Sequence, residues 1–154
     1  MAQVTIYTDG SAKGNPGNGG YGIVMMAGQH RKEFAQGYRY TTNNRMELLS
    51  VCVALEKLKG GPHDATVYSD SKYVVDAVEK RWVFGWEKKG YKGKKNPDLW
   101  IRFLKIYRLH RVKFVWVKGH ADNPWNNRCD ELAFNVADGN DLLIDDAYER
   151  ENPR

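Results

Sequence analysis

Four acidic residues stand where acids are costly, and the chemistry they allow governs the reading of the chain. Asp9 ends the apolar run Val4-Thr5-Ile6-Tyr7-Thr8, and Asp70 ends a second run, Thr66-Val67-Tyr68-Ser69. Glu47 is wedged between Met46 and Leu48 at the start of an apolar helical pattern, and Asp130 follows Cys129 in the segment Cys129-Asp130-Glu131-Leu132-Ala133. A carboxylate at the carboxyl end of a buried strand, or beside the core stripe of a helix, gives up hydration at a cost. Several converging there repel one another unless a cation holds them. Such a set points to divalent metal ions and to chemistry on phosphates.

Each acid also has an ordinary explanation. Asp70 could cap a helix, a job Ser71 does as well; Asp130 could be a solvated helical position; Glu47 could pair with Arg45 or Lys72. The ordinary account must hold four separate times, whereas the metal account needs to hold once. Hydrolysis of a phosphodiester places charge on the attacking water, on the non-bridging oxygens and on the leaving O3′. Two metal ions roughly 3.5–4 Å apart stabilise attack and departure together. Mg²⁺, a hard ion, takes carboxylate oxygens, phosphate and water. Without metal, some of these acids should have raised, mutually dependent pKa values.

The elements that must position the acids can be read from the pattern. Residues 3–9 alternate as a strand, the glycine-rich stretch 10–20 is a loop, and 21–26 and 32–40 form an antiparallel pair around a turn at 27–30. Residues 45–59 show helical spacing after a choice of capping residues at Thr41, Thr42, Asn43 and Asn44. A fourth strand spans 65–69 and a helix 71–81. Residues 82–95 suggest a short helix followed by a loop. Asn96-Pro97-Asp98 starts another helix with a cap, a proline at the first position and an acid near the positive dipole end. A fifth strand at 112–117, a loop at 119–125 and a helix at 126–137 follow. The acidic tail 138–154 is expected to be loosely ordered, with Leu142, Leu143 and Tyr148 as its candidates for packing. The expected architecture is a single α/β domain over 1–154. Its mixed five-stranded sheet has three antiparallel strands, then two parallel ones, with helices on its faces. In such sheets ligands bind beyond the carboxyl ends of the strands, where Asp9 and Asp70 stand.

The net charge of +5 is unevenly distributed. Residues 72–118 hold fourteen Lys or Arg against four Asp or Glu, whereas 119–154 hold three against nine. A basic middle suits a polyanion, although a solvated lysine-rich surface would look the same. Trp82, Trp86 and Tyr91 alternate there with Lys88, Lys89, Lys92, Lys94 and Lys95. No apolar run approaches the ~20 residues that cross a bilayer. The opening residues lack the charged and apolar regions of a signal peptide. Two cysteines, Cys52 and Cys129, fit free buried thiols in a reducing compartment. No membrane association is expected, and the expected location is cytoplasmic.

The motifs, taken in order, resemble the bacterial type 1 ribonuclease H family. They are Tyr7-Thr8-Asp9-Gly10-Ser11 with Gly14-Asn15-Pro16-Gly17, Thr41-Thr42-Asn43-Asn44-Arg45-Met46-Glu47-Leu48, Ser69-Asp70-Ser71, and Trp116-Val117-Lys118-Gly119-His120 with Asn126-Asn127-Arg128-Cys129-Asp130-Glu131-Leu132-Ala133. The resemblance implies an RNase H-like fold and hydrolysis of the RNA strand of RNA–DNA hybrids, leaving 5′-phosphate and 3′-hydroxyl ends. It implies Asp9, Glu47, Asp70 and Asp130 as ligands of two Mg²⁺ ions, with Mn²⁺ able to substitute, and His120 as a loop residue assisting turnover. Asn15, Thr42, Asn43, Lys72 and Asn126 match hybrid-contacting positions, Thr42 at a DNA phosphate, and Glu47 could also accept from a 2′-OH. Residues 82–95 resemble the family's basic extension, with Trp82, Trp86, Tyr91 and the five lysines as substrate contacts. An RNA–DNA hybrid is then the partner, with no obligate protein partner. Three departures concern affinity, turnover or metal preference rather than reaction type: Lys72 replaces a usual Gln, the extension is shorter than in many relatives, and Asp122, Asn123 and Trp125 give the histidine loop an unusual sequence.

Two rivals remain at this point, one from another class and one closer. A silent nucleic-acid-binding module would share the basic stretch without needing four acids, and a superfamily relative acting on DNA would share the fold. A phosphate loop at residues 14–20 is disfavoured, because it lacks GK[ST] and a strand rather than a helix follows it.

Overall fold

The computed structural model describes residues 3–118 and 123–154. The elements are β1 (Gln3–Ala12), β2 (Gly17–Ala27), β3 (His30–Thr41), α1 (Asn43–Glu56), β4 (Asp64–Ser69), α2 (Lys72–Glu79), α3 (Trp82–Lys88), α4 (Pro97–Tyr107), β5 (Arg111–Trp116), α5 (Pro124–Ala137), β6 (Leu142–Leu143) and α6 (Asp146–Glu151). They form a mixed sheet in the order β5-β4-β1-β2-β3-β6. β1, β2 and β3 pair antiparallel, while β4 joins β1, β5 joins β4 and β6 joins β3 in parallel.

Two expectations are corrected. The sheet has six strands rather than five, the sixth being the two-residue β6 alongside Gly37 and Tyr38 of β3. The tail is also built into the body: Asp145 is buried, caps α6, and accepts hydrogen bonds from Thr41 Oγ1 at 2.8 Å and Arg45 Nε at 2.7 Å. Neither feature has a strong local signal, since a two-residue strand shows no period and the partners of Asp145 lie about a hundred positions away in the chain. Helix boundaries move by a few residues, as end effects do. Thr42 is the side chain that caps α1, and Ser71 caps α2. Asn96 does precede α4, but its side chain makes no cap; it accepts from Arg45 Nη1 and donates to the Tyr73 hydroxyl.

The core lies chiefly between the sheet and helices α1, α2 and α4. Ile6, Val67, Leu48, Val51, Val74, Trp100 and Phe103 are among its fully buried members. Trp100 donates its indole N–H to the Tyr73 hydroxyl at 3.0 Å, which satisfies the one polar atom this ring brings inside. Cys52 and Cys129 are free and buried, as expected.

Two glycines let helices touch the sheet. A Cβ on Gly10 would lie 2.3 Å from the carbonyl carbon of Met46, and one on Gly22 would lie 2.3 Å from the Cys129 oxygen. Gly22 pairs with Asp9 across β1 and β2, while Gly10 is the next residue along β1. Side chains alternate across a pleated sheet, so α1 and α5 press on opposite faces at the same point.

Candidate active site and nucleic-acid interface

Strand register brings the first two acids together. Thr8 pairs with Ser69 in the parallel β1–β4 ladder, and β4 stops there. Asp9 and Asp70 therefore follow side by side at the carboxyl edge. β1 continues past Asp9 to Ala12 against β2, so Asp9 marks the point where its other neighbour ends rather than the end of its own strand. The contact of Gly10 with the Met46–Glu47 backbone delivers Glu47 from α1 to the same place. One carboxylate oxygen from each of Asp9, Glu47 and Asp70 lies within 4.8 Å of the others.

The electrostatics fit this crowding. Burial, then the charges of Asp70 and Asp130, push the Asp9 carboxyl from 3.8 up to about 8, against the opposing hydrogen bond from Gly10 N at 2.9 Å. Glu47 is pushed well above its usual range, first by burial and then by the charges of Asp9 and Asp70. Glu47 Oε1 and Asp70 Oδ1 are buried without a hydrogen-bond partner among the described residues. Orphaned buried acceptors are expensive, and a hard cation would satisfy them. The donor set, carboxylate oxygens alone, suits such an ion and the group fits it.

Asp130 lies on the exposed side of α5, outside the three-acid group, although its charge acts on Asp9. Its neighbour Cys129 is the residue α5 presses onto Gly22, and Cys129 Sγ donates to the Tyr7 carbonyl at 3.2 Å. The helix bearing Asp130 is thus anchored beside the cluster. His120 falls outside the described residues.

The hybrid-contact candidates divide into groups. Asn15 Oδ1 accepts from Asn43 N at 2.9 Å, and Asn43 Oδ1 accepts from Ala12 N. The two amides tie the loop after β1 to the start of α1, and each keeps its NH₂ outside those bonds. Thr42, Asn43 and Asn15 line one groove together with Lys94 and Lys95. Lys88, Lys89, Lys92, Lys94 and Lys95 are all exposed, and none forms an ion pair among the described residues. Trp82 is half exposed, with Lys80 Nζ 5.3 Å from its ring centre. Trp86 packs edge-on against Trp100 at 5.7 Å, and Lys94 Nζ lies 5.0 Å from its ring. Tyr91 is a correction: it is buried in the core, so its ring offers no stacking platform. Asn126 is also buried; its backbone N–H donates to Asn123 Oδ1, and its own Oδ1 has no partner among the described residues. Lys72 Nζ sits 4.7 Å from the ring centre of Trp116, whose indole N–H donates to the Asp70 carbonyl at 3.2 Å.

Sequence reasoning missed Gly10, Arg45 and Trp116 as supports of the site. Arg45 precedes Glu47 by two positions on α1. It is buried and bound by Asp98 at 2.9 and 2.8 Å as well as by Asp145. Its one visible signal was an arginine inside an otherwise apolar helical stretch.

Comparisons with known proteins agree with this geometry. The family model for RNase H matches residues 1–138. A protein of Desulforamulus reducens called Ribonuclease H is 51% identical over 150 residues, covering 94% of each chain. Another, from Syntrophus aciditrophicus, is 50% identical over 151 residues, covering 95% of this chain and 87% of its own. The solved structure of LC9-RNase H1, described as a type 1 RNase H with the type 2 active-site motif, superimposes with a TM-score of 0.82 at 31% identity, covering 100% of this chain and 82% of that one. LC11-RNase H1, solved in complex with an RNA/DNA hybrid, gives a TM-score of 0.65 at 28% identity, covering 88% and 96%. With sheet order, clustered acids and both kinds of relative in agreement, the chain belongs to the RNase H family.

Proposed function

We propose that the chain is an endonuclease that hydrolyses the RNA strand of RNA–DNA hybrids, leaving 5′-phosphate and 3′-hydroxyl ends. The observation that carries this reading is the cluster of Asp9, Glu47 and Asp70, with two buried oxygens that have no partner among the described residues, in a chain of the RNase H family. A silent binding module has no use for such a cluster.

Asp9, Glu47 and Asp70, with Asp130 from α5, would hold two Mg²⁺ ions, or Mn²⁺ in their place. When bound, the metal supplies positive charge and Lewis acidity to the attacking water and the departing O3′. The chain's own groups do the remainder. Asn15 and Asn43 keep their amide NH₂ groups for acceptors on the hybrid, beside the 2′-OH that distinguishes RNA from DNA. Thr42 and the five lysines contact phosphates, and lysine contacts release counterions. His120 carries a proton on its imidazole during turnover, a task suited to a group that titrates near neutral pH. The same reading treats 1–154 as one domain working in the cytoplasm without an obligate protein partner; the two buried free thiols support a reducing compartment.

The test is cleavage of an end-labelled hybrid beside matched double-stranded DNA and double-stranded RNA, with Mg²⁺ and with chelator. Cutting confined to the hybrid's RNA strand and abolished by chelator is expected. Equal cutting of all three duplexes, or cutting that persists in chelator, would reject the reading.

A further inference from the structure

The groove that holds Asn15, Thr42 and Asn43 has a second wall contributed by the tail. Ala147, Tyr148, Arg150, Glu151 and Asn152 of α6 and the residue after it face Lys94 and Lys95 across a volume of about 810 Å³. This wall lies beyond residues 1–138, the part matched by the family model. It is held in place from inside: Arg45 and Thr41 grip Asp145, which accepts from Tyr148 N at the start of α6.

The charge in the groove is unbalanced toward cations. Arg45 is matched by Asp98 and Asp145 and adds no free charge. Lys94, Lys95 and Arg150 are exposed and make no ion pair among the described residues, against Glu151 as the acid in the same condition. The groove opens one helical turn from the carboxylates, because Asn43 and Glu47 are four apart on α1, a rise of about 6 Å along one face. Separated cations lining an open polar groove suit a chain of phosphates.

We propose that α6 extends the substrate groove formed by Thr42, Asn43, Lys94 and Lys95, and that Arg150 contacts a phosphate of the strand lying in it. Residues 138–154 are then part of the substrate interface. The inference rests on the hybrid-cleavage reading above. Arg150 is exposed and makes no ion pair among the described residues, so its replacement should leave the melting temperature near that of wild type.

The experiment compares wild type, Arg150→Gln, Arg150→Glu and Lys95→Gln in steady-state cleavage of a labelled hybrid at several KCl concentrations, with melting temperatures as a folding control. Arg150→Gln should raise KM about three- to tenfold with little change in kcat, and should lower the slope of log KM against log salt by about 1, the loss of one phosphate contact. Arg150→Glu should raise KM further. Wild-type KM and salt slope in both Arg150 variants, with Lys95→Gln impaired, would overturn the role of α6 while leaving hybrid cleavage intact. Failure of the wild type to cut the hybrid at all would sink the underlying reading instead.

Discussion

Asp9→Asn should make the metal-free protein more stable while abolishing activity, and the gain should depend on pH in a defined way. The unfolded Asp9 carboxyl titrates near 3.8, and the folded one near 8. Below about pH 4 the group is neutral in both states and carries no penalty. Between pH 4 and 8 the unfolded chain gives up its proton while the folded chain keeps it, so stability falls as pH rises through this window and levels off above it. A difference of about 4 units at about 1.36 kcal/mol each sets a ceiling near 5 kcal/mol. Part of that is relieved by rearrangement around Glu47 and Asp70, and we expect about 2–3 kcal/mol at pH 7–8, or roughly 4–12 °C in Tm for a chain of this size. Asn is nearly isosteric, and its Oδ1 keeps the acceptor for Gly10 N, so little else changes. The assay is thermal unfolding of both proteins in chelator from pH 4 to 9, repeated with saturating Mg²⁺, which should narrow the gap by stabilising wild type. A variant less stable than wild type at pH 8 in chelator, or a Tm difference independent of pH, would refute the account of crowded, desolvated acids.

Four other outcomes are expected. Gly10→Ala forces a methyl into the α1 backbone and should cost at least about 2 kcal/mol in urea unfolding, with kcat lowered about tenfold or more as Glu47 is displaced. Asp145→Ala leaves the buried Arg45 with Asp98 as its one ion-pair partner among the described residues and should cost about 3 kcal/mol, read as a lower urea midpoint with an unchanged m value. Neutralising Lys88, Lys89, Lys92, Lys94 and Lys95 together should raise KM far more than it lowers kcat, and the defect should shrink as salt rises, because salt already weakens the wild type's phosphate contacts. His120→Ala should slow turnover and retain some activity; a loss as complete as that of Asp9→Asn would contradict an assisting role.

The carboxylates were legible because their neighbours made them conspicuous. An acid that terminates a period-two apolar run is visible without structure, and two such runs in a parallel pair end together. Glu47 was readable as an acid in apolar company, whereas Asp130 lies on the exposed side of α5, outside the three-acid group. The amount of helix–sheet contact was not, because Gly10 and Gly22 look like any loop-adjacent glycine until the backbones they admit are known. Tyr91 was misread because a ring among lysines resembles a stacking residue, whereas it is buried in the core, a placement its basic sequence neighbours do not signal. The tail was misread for the opposite reason. Its acids suggested solvation, yet Asp145 is consumed by Arg45 and Thr41, partners that no local window contains. Long-range pairing of this kind leaves no periodic trace.

The span between Arg45 and Asp145 also bears on the order of assembly. During synthesis the guanidinium emerges with the catalytic helix a hundred residues before its carboxylate mate. Contacts so distant along a polymer form late, since the intervening loop must first be closed. The nascent enzyme therefore keeps its reaction centre provisional until residue 145 has cleared the ribosome and docked, and premature termination between residues 130 and 145 would yield a chain with all four proposed metal ligands present and an unbuttressed α1 beneath them.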